Sequence, residues 1–348
     1  MPNRDEENQL LEELVRRYSP SGEEGPATAF LLETFRRWGW TARIDEAGNA
    51  VGELGAGAPT LCFLGHIDTV EGEIPVRREG TLLHGRGTVD AKGPLMAAAC
   101  AAARLPRDLD KRIVIVGAVE EETFTSRGAR HIVEQLRPDL CLIGEPSRWD
   151  RVTIGYKGIL HFRWALEGPR AHGAAEGVSV GTRCVQFGAA VLALARALGG
   201  GEESPFHGLT CNVRSIRSTV GEFAERAEAA VDMRLPPALD PDAVEREVRG
   251  LAQSAAITIV EKLPAVRADK GSRLVRALVA AIRRHGGTPR FALKTGTSDM
   301  NIVAPVWQCP IAAYGPGDSS LDHTPIEHID LEEYQKAIDV LEMVFLAL

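Results

Sequence analysis

The 348-residue sequence has no apolar run long enough to cross a lipid bilayer, so we expect no transmembrane segment and no membrane partner. It has no excess of positive charge either, because 40 basic residues are outnumbered by 48 acidic residues and the net charge is −8. This balance argues against a protein that binds nucleic acid or a membrane surface. The first seven residues are polar and acidic and do not resemble a signal peptide.

Paired cysteines are also missing from the sequence. There is no CxxC motif and no regular spacing, which argues against a disulfide framework. Several of the six cysteines lie in apolar segments, which predicts buried free thiols and favours a reducing, cytoplasmic location. The six residues are Cys62, Cys100, Cys141, Cys184, Cys211 and Cys309.

What the sequence does contain is an alternation of strand and helix patterns over its first 150 residues. Residues 112–119 form a continuous β-branched run, which is typical of a strand covered on both faces. Residues 93–105 are rich in alanine and predict a buried helix. Residues 42–51 predict another strand. We therefore expect an α/β domain in which a mixed sheet is sandwiched by helices.

The pattern changes near Tyr156. From there to residue 267 it predicts a strand, a helix, two strands, a helix and a strand, which together would form a two-layer β-α-β-β-α-β domain. Short buried strands are predicted to resume from Phe291 through Val303, and a helix over 331–348 closes the chain. The sequence thus predicts a first domain in two parts, 1–155 and 268–348, with a domain inserted at 156–267.

Polar residues follow the predicted strands at the points where they end. The apolar residues 61–64 lead into His66 and Asp68, which a strand would present on one face because its side chains alternate. A metal-bound histidine usually donates its second ring proton to a carboxylate, so one of the pair could bind a metal while the other orients it. Further polar residues follow later segments: Asp90, Glu120, Glu121, Glu122, Glu145 and His323.

This placement predicts a metal centre, because ligands of open α/β sheets bind at the carboxyl ends of the strands. Two histidines and several carboxylates suit zinc and, less exclusively, cobalt or manganese. Three protein ligands for each of two ions, with one carboxylate shared, would leave a position for water on each ion.

Each residue also has an ordinary structural interpretation. Asp90 could pair with Lys92 in a surface turn, the three glutamates could form a solvated loop, and His323 could be an ordinary loop histidine. Glu145 could lie at a helix N-terminus, where a carboxylate is favourable. Together these explanations need five coincidences at strand ends. Three carboxylates after a buried strand also repel one another unless cations lie nearby, so we prefer the metal centre.

Five segments, in order, resemble the hallmarks of the co-catalytic di-zinc amidohydrolases, a family that includes aminoacylases, acetylornithine deacetylase and succinyl-diaminopimelate desuccinylase. The resemblance covers nearly the whole chain. It implies a zinc-peptidase-like catalytic domain at 1–155 and 268–348 and a lid and dimerisation domain at 156–267. The family motifs H-x-D, G-R-G-x-x-D-x-K-G, D-E-E, G-E-P-S and H-x-P correspond to residues 66–68, 85–93, 120–122, 144–147 and 323–325.

The resemblance implies a ligand set for two zinc ions, for which cobalt could substitute. One ion would be held by His66, Asp90 and Glu145. The other would be held by Asp90, Glu122 and His323.

The resemblance also implies the residues that assist these ligands. Asp68 would support His66, and the first glutamate of the family's Glu pair would be the general base. The family's Asp is a glutamate here, so three glutamates stand in a row. Aligning Glu120 with the Asp makes Glu121 the base and Glu122 the ligand, whereas the alternative alignment makes Glu120 the base and Glu121 the ligand.

Other segments resemble the parts of the family that contact the substrate. The segment around His172 resembles one whose histidine reaches into the site of the partner subunit, which implies an oxyanion donor and a homodimer. His172 could instead be a surface histidine in a glycine-rich turn. Arg234, Lys294 and Thr297 are expected to bind a substrate carboxylate, although Arg234 could equally pair with Asp232 in its own strand.

Residues 65–76 and 88–95 most resemble one branch of the family. That branch comprises metal-dependent amide hydrolases that release lysine or ornithine from the C-terminal glutamate of a small, acidic amino-group carrier protein in lysine and arginine biosynthesis. An alternative is a small-molecule deacylase for acetylornithine or acetyl-lysine. A third possibility is a non-catalytic metal-dependent binding protein, which the presence of every expected ligand and of the base argues against.

Overall fold

The chain folds as two units in the computed structural model, which describes residues 2–170, 177–199 and 204–348. The first unit comprises Met1–Gly155, Ala268–Leu293 and Ser298–Leu348. The second comprises Tyr156–Arg267 together with Lys294–Thr297. The chain therefore enters the second unit twice, the second time for four residues only.

The helices and strands of the described residues have the following bounds. The helices are α1 Arg4–Val15, α2 Gly25–Arg37, α3 Lys92–Ala103, α4 Arg127–Gln135, α5 Val180–Leu198, α6 Pro241–Leu251, α7 Arg273–Arg284, α8 Met300–Trp307 and α9 Leu331–Ala347. The strands are β1 Thr41–Ile44, β2 Ala50–Leu54, β3 Thr60–His66, β4 Arg77–Glu79, β5 Leu82–His84, β6 Arg112–Ala118, β7 Leu140–Gly144, β8 Arg151–Tyr156, β9 Gly158–Pro169, β10 Thr210–Val220, β11 Ala224–Leu235, β12 Ala256–Leu263, β13 Val266–Arg267, β14 Arg290–Lys294, β15 Ile311–Ala313 and β16 His328–Asp330.

The main sheet of the first unit is mixed, as the sequence predicts. Its strands lie in the order β1-β2-β6-β3-β7-β15-β8, and β14 also pairs with β8. The central strands β6, β3, β7 and β15 are parallel, whereas β1, β2 and β8 run antiparallel to their neighbours. The predicted α/β class, with a mixed sheet flanked by helices, is confirmed.

The centre of this sheet is buried because its strands are apolar at nearly every position. All five residues of β7 are buried, and so are the last six of β6. Helix α3, which packs against these strands, buries every residue from Lys92 to Ala102. Its many alanines allow the helix backbone to approach the sheet closely.

Three glycines lie side by side near the carboxyl ends of the central strands. Gly65 of β3 pairs with Gly117 of β6 and with Gly144 of β7. A Cβ atom on Gly144 would come within 2.5 Å of the Phe63 ring, and one on Gly117 within 2.9 Å of Leu31. These positions have no room for a side chain, so the strands can close together just before the polar residues that follow them.

A small second sheet joins two segments that are far apart in sequence. It has the order β16-β5-β4, and His328 of β16 pairs with His84 of β5. Because β5 leads into the glycine-rich turn that contains Asp90, and β16 follows the segment that contains His323, this sheet brings the two segments together.

The second unit has the predicted strand and helix order, β9-α5-β10-β11-α6-β12. Its four strands are antiparallel in the order β10-β11-β9-β12. The apolar side chains of the sheet form a core with α5 and α6 that includes Phe162, Trp164 and Val231.

Two predictions of local structure are wrong. Residues 42–51 do not form one strand, because the segment between β1 and β2 turns back on itself through a hydrogen bond from the Gly48 amide to the Asp45 carbonyl. The segment ending at Val303 is not a strand but part of α8. A short apolar run does not by itself distinguish a strand from a buried helix.

All six cysteines are free, as predicted, with four buried and Cys211 and Cys309 half-buried. Over the part of the chain that the structure describes, every helix is too short or too polar to span a membrane.

Candidate metal centre

The predicted ligands lie at one edge of the main sheet. His66 ends β3, Glu121 and Glu122 follow β6, and Glu145 follows β7. Because these three strands are parallel and adjacent, the side chains that follow their carboxyl ends meet at the same edge.

Asp90 lies between the two predicted histidine ligands. Its Oδ1 atom is 3.2 Å from Nε2 of His66, and its Oδ2 atom is 3.1 Å from Nε2 of His323. Nε2 of His323 is also 3.1 Å from Oε1 of Glu122. One carboxylate thus presents an oxygen to each imidazole, which is the arrangement that a carboxylate shared between two ions requires.

The donor atoms are close enough for a metal site. His66, Asp90 and Glu122 offer ligand atoms that all lie within 4.8 Å of one another. His323 contacts two members of this group. Glu145 is close enough for its charge to affect Glu121, but it is not a member of the group of three.

The electrostatics of the cluster favour the binding of cations. Burial would raise the pKa of Asp90, but hydrogen bonds to His323 and His66 outweigh it and hold the pKa well below its usual value. The same contacts, from Asp90 and Glu122, raise the pKa of His323 to about 10. Burial and the charge of Asp90 raise the pKa of Glu122. Nitrogen and oxygen donors with this excess of negative charge fit divalent zinc or a similar ion.

Glu121 lies beside the ligands rather than among them. Its Oε2 atom is 4.0 Å from Nε2 of His66. Burial raises the pKa of Glu121 well above its ordinary value, and the charges of Glu145, Asp299 and Glu122 add to the effect. A carboxyl group with a raised pKa, next to a group of metal ligands, is suited to taking up and releasing a proton.

The carboxylate of Asp68 fixes three parts of the site. Its oxygens accept hydrogen bonds from the backbone amides of Glu121 (3.1 Å) and Glu122 (3.0 Å) and from the hydroxyl of Ser21 (2.7 Å). Nδ1 of His66 is 3.5 Å from Oδ1 of Asp68 and 3.0 Å from its backbone carbonyl. The sequence predicted support for His66, but it gave no sign that Asp68 also holds the backbone of both glutamates.

Glu120 points to a different set of partners. Its carboxylate accepts hydrogen bonds from Nε of Arg127 (2.8 Å) and from the hydroxyl of Thr125 (2.6 Å). Its backbone adopts a positive φ of 57°. The chain therefore turns at Glu120, so that the next two glutamates, and not Glu120, lie beside the histidines.

Glu327 is a buried residue of this site that the sequence did not single out. Its Oε1 atom accepts hydrogen bonds from the backbone amides of Val89 (2.9 Å) and Asp90 (3.2 Å), and its Oε2 atom pairs with Arg86 at 2.8 Å. Its carboxylate thus fixes the turn that presents Asp90 to the segment that presents His323. The only sign of this role in the sequence is the position of Glu327, an acidic residue two positions after the H-x-P motif.

Asp299 is another buried acidic residue, and its charge acts on Glu121. It lies at the start of α8 and is 3% exposed. Burial, with the charge of Asp68, raises the pKa of Asp299 to about 7. Among the described residues, its Oδ1 atom has no hydrogen-bond partner.

The predicted substrate-binding residues belong to the second unit. Arg234 pairs with Asp232 (Nη2 to Oδ2, 3.2 Å) and also donates to the hydroxyl of Thr297 at 3.3 Å. The backbone carbonyl of Lys294 accepts a hydrogen bond from the amide of Lys157. His172 lies outside the described residues.

Comparison with known proteins finds similarity over most of the chain. The family model "Peptidase family M20/M25/M40" matches residues 62–347. A LysW-lysine hydrolase of Deinococcus radiodurans is 45% identical and covers 98% of this chain and 96% of its own. A LysW-lysine/LysW-ornithine hydrolase of Sulfurisphaera tokodaii is 31% identical and covers 93% and 90%. The structure of an M20 family metallo-carboxypeptidase from Sulfolobus solfataricus has a TM-score of 0.79, with 21% identity and 98% coverage of both chains.

Proposed function

The chain belongs to peptidase family M20/M25/M40, and from this premise we propose that it is the hydrolase that releases lysine, or ornithine, from the C-terminal glutamate of the carrier protein LysW. Its place would be lysine or arginine biosynthesis in the cytoplasm. The observation that supports this proposal most directly is the 45% identity, over nearly the whole chain, to a LysW-lysine hydrolase.

The chain is a hydrolase of a family that binds divalent metal, and we propose that it holds two zinc ions, for which cobalt could substitute. His66, Asp90 and Glu145 would hold one ion, and Asp90, Glu122 and His323 the other. The contacts of Asp90 with both histidines support this assignment. Bound divalent ions would supply Lewis acidity toward the amide carbonyl and the attacking water.

In the proposed mechanism Glu121 carries the proton. Its carboxylate takes a proton from the attacking water and then gives it to the leaving amine, a dual role that suits a buried carboxyl group with a raised pKa. Asp68 holds the amides of Glu121 and Glu122, so that the base and the ligand keep a fixed separation. Arg234, Lys294 and Thr297 would bind the carboxylate of the released amino acid.

The proposed function predicts lysine release from loaded carrier and its loss on chelation. Purified protein incubated with lysine-loaded LysW should release free lysine, measured by amino-acid analysis. Exhaustive dialysis against a chelator should abolish release, because the amide carbonyl and the attacking water lose their Lewis acid. Added zinc or cobalt should restore it. Elemental analysis should find two ions per chain.

Two results would contradict this proposal. Full turnover after complete metal removal would exclude the metal-dependent mechanism. Hydrolysis of acetyl-lysine or acetylornithine with no action on loaded carrier would instead identify a small-molecule deacylase.

We further propose a homodimer in which His172 of the partner subunit donates to the developing oxyanion. The second unit offers a surface for such pairing. Among the described strands, β10 has a partner on one side only. Ile216 and Val220 of β10 and the nearby Phe223 are 50%, 64% and 86% exposed. An edge strand with one free side and exposed apolar side chains is suited to symmetric association.

Mixing two inactive variants tests this arrangement. Glu121→Gln and His172→Ala should each have little activity alone, but exchanged subunits should regain activity, because one site of each mixed dimer would contain both native residues. Light scattering should give the mass of two chains. A monomeric mass, or no recovery of activity in mixtures whose subunits have exchanged, would rule out the proposed role of the partner's His172.

A further inference from the structure

Helix α7 presents an exposed face that contains arginine but no acidic residue. Arg273, Arg276, Arg283 and Arg284 are exposed, and they lie at helical spacing on the side opposite the buried residues of the helix. We call these four arginines the basic α7 face. With a rise of 1.5 Å per residue, the face extends over about 16 Å.

The charge of the segment 268–293, which contains α7, is opposite to that of the chain as a whole. The protein has a net charge of −8. Residues 268–293 contain a single acidic residue, Asp269, whose carboxylate accepts a hydrogen bond from the amide of Gly271. The same segment contains six basic residues: Lys270, Arg273, Arg276, Arg283, Arg284 and Arg290.

These cations have no anionic partner within the part of the chain that the structure describes. None of the six has a carboxylate within ion-pair distance. Arg276 donates to the backbone carbonyl of Gly271, and Lys270 lies over the Phe291 ring at 4.9 Å. Some exposed arginines elsewhere, such as Arg226 and Arg249, do have ion pairs. Arg273 and Arg276 are one helical turn apart and repel each other, and no carboxylate of α7 offsets this repulsion.

The C-terminal end of α7 lies at the same edge of the main sheet as the metal centre. The amide of Arg290, which follows α7, donates to the carbonyl of Asp150 at 3.1 Å. Gly287 packs so closely on Trp149 that a Cβ atom would be 2.8 Å from the indole ring. Asp150 immediately precedes β8, which is antiparallel to β15, and β15 is parallel to β7. The start of β8 is therefore on the side where β7 ends, which is the side of the predicted ligands.

We propose that the basic α7 face is the docking surface for an acidic protein. This inference rests on the proposed function, which identifies that protein as the carrier of the substrate lysine. A substrate attached to a protein has to be held by a surface near the catalytic edge, and complementary charge both steers and orients such a partner. The face has the required charge, is exposed, and its C-terminal end lies at the correct edge of the sheet.

Charge reversal on the face tests this proposal. The double variant Arg276→Glu/Arg283→Glu is compared with Arg196→Glu/Arg246→Glu, which changes two exposed helical arginines of the second unit by the same total charge. The α7 variant should raise the KM for lysine-loaded LysW by about ten-fold with kcat retained, whereas the control should keep the native KM. Added salt should raise the KM of the native enzyme but have little effect on that of the α7 variant.

Binding of unloaded LysW, measured by calorimetry, separates the failure of this proposal from the failure of the proposed function. Suppose that the native enzyme binds unloaded LysW but releases no lysine, and that the α7 variant does not bind. This result would contradict the proposed function but support the docking surface. Normal lysine release with a native KM and native binding in the α7 variant would overturn the docking surface but leave the function in place. Tighter binding of duplex DNA or phosphatidylglycerol vesicles than of LysW would also overturn it.

Discussion

Glu121→Gln is expected to lower kcat for lysine release by about 10²- to 10⁴-fold, the usual contribution of a general base. Glutamine keeps the size and one acceptor oxygen of the side chain but cannot carry the proton. The amide of residue 121 would still donate to Asp68, so the backbone at this position should keep its place. The measurement is steady-state kinetics on loaded carrier, with metal content determined by elemental analysis to show that the ligands are undisturbed.

The matched control for this variant is Glu120→Gln. Glu120 is the adjacent glutamate, and its carboxylate bonds to Arg127 and Thr125 rather than facing the histidines. This variant should keep kcat within a few-fold of the native value. If Glu120→Gln were inactive and Glu121→Gln fully active, the alternative alignment of the three glutamates would be correct.

Glu327→Ala is expected to reduce the free energy of unfolding by about 3–5 kcal/mol, because it removes one partner of a buried ion pair. Arg86, which is 6% exposed, would lose its carboxylate, and the amides of Val89 and Asp90 would lose their acceptor. The turn that presents Asp90 would no longer be fixed to the segment that presents His323. We therefore also expect weaker metal binding, measured by calorimetry, besides a lower midpoint in urea.

Glu71→Ala is a suitable control, since Glu71 is exposed and its replacement should change stability by no more than about 0.5 kcal/mol. A Glu327→Leu/Arg86→Met double variant tests the cause. If the loss comes from an unpaired buried arginine, removing both charges should recover part of it. Native stability and native metal affinity in Glu327→Ala would refute the structural role of this residue.

The sequence predicted the class of the fold because burial leaves a regular pattern. The buried strand at 112–118 follows from its continuous apolar run. Where the pattern was too short, it failed. The prediction of one strand over 42–51 misses the turn in the five residues between β1 and β2. The apolar part of α8 has no clear period, so it was predicted to be a strand.

The candidate ligands could be chosen from sequence because parallel strands bring their carboxyl ends to one edge. The residues that hold those ligands could not be chosen in this way. Ser21 contacts Asp68 from 47 positions away, and Glu327 reaches Asp90 across 237 positions. Such contacts depend on how separate segments pack, which local patterns do not record. The three-glutamate run was ambiguous for a different, local reason. The sequence does not show that the backbone turns at Glu120, where φ is 57°, or that the Glu120 carboxylate bonds to Arg127 and Thr125.

The second unit cannot be removed or replaced as one continuous segment, because the chain returns to it at Lys294–Thr297. A shortened version that joins Gly155 directly to Ala268 would keep Lys294–Thr297 but remove the rest of the unit to which these four residues belong. They would lose the hydrogen bond from the amide of Lys157 to the Lys294 carbonyl and the hydrogen bond between Arg234 and Thr297. A chimera that takes this unit from a relative would have to replace both Tyr156–Arg267 and Lys294–Thr297.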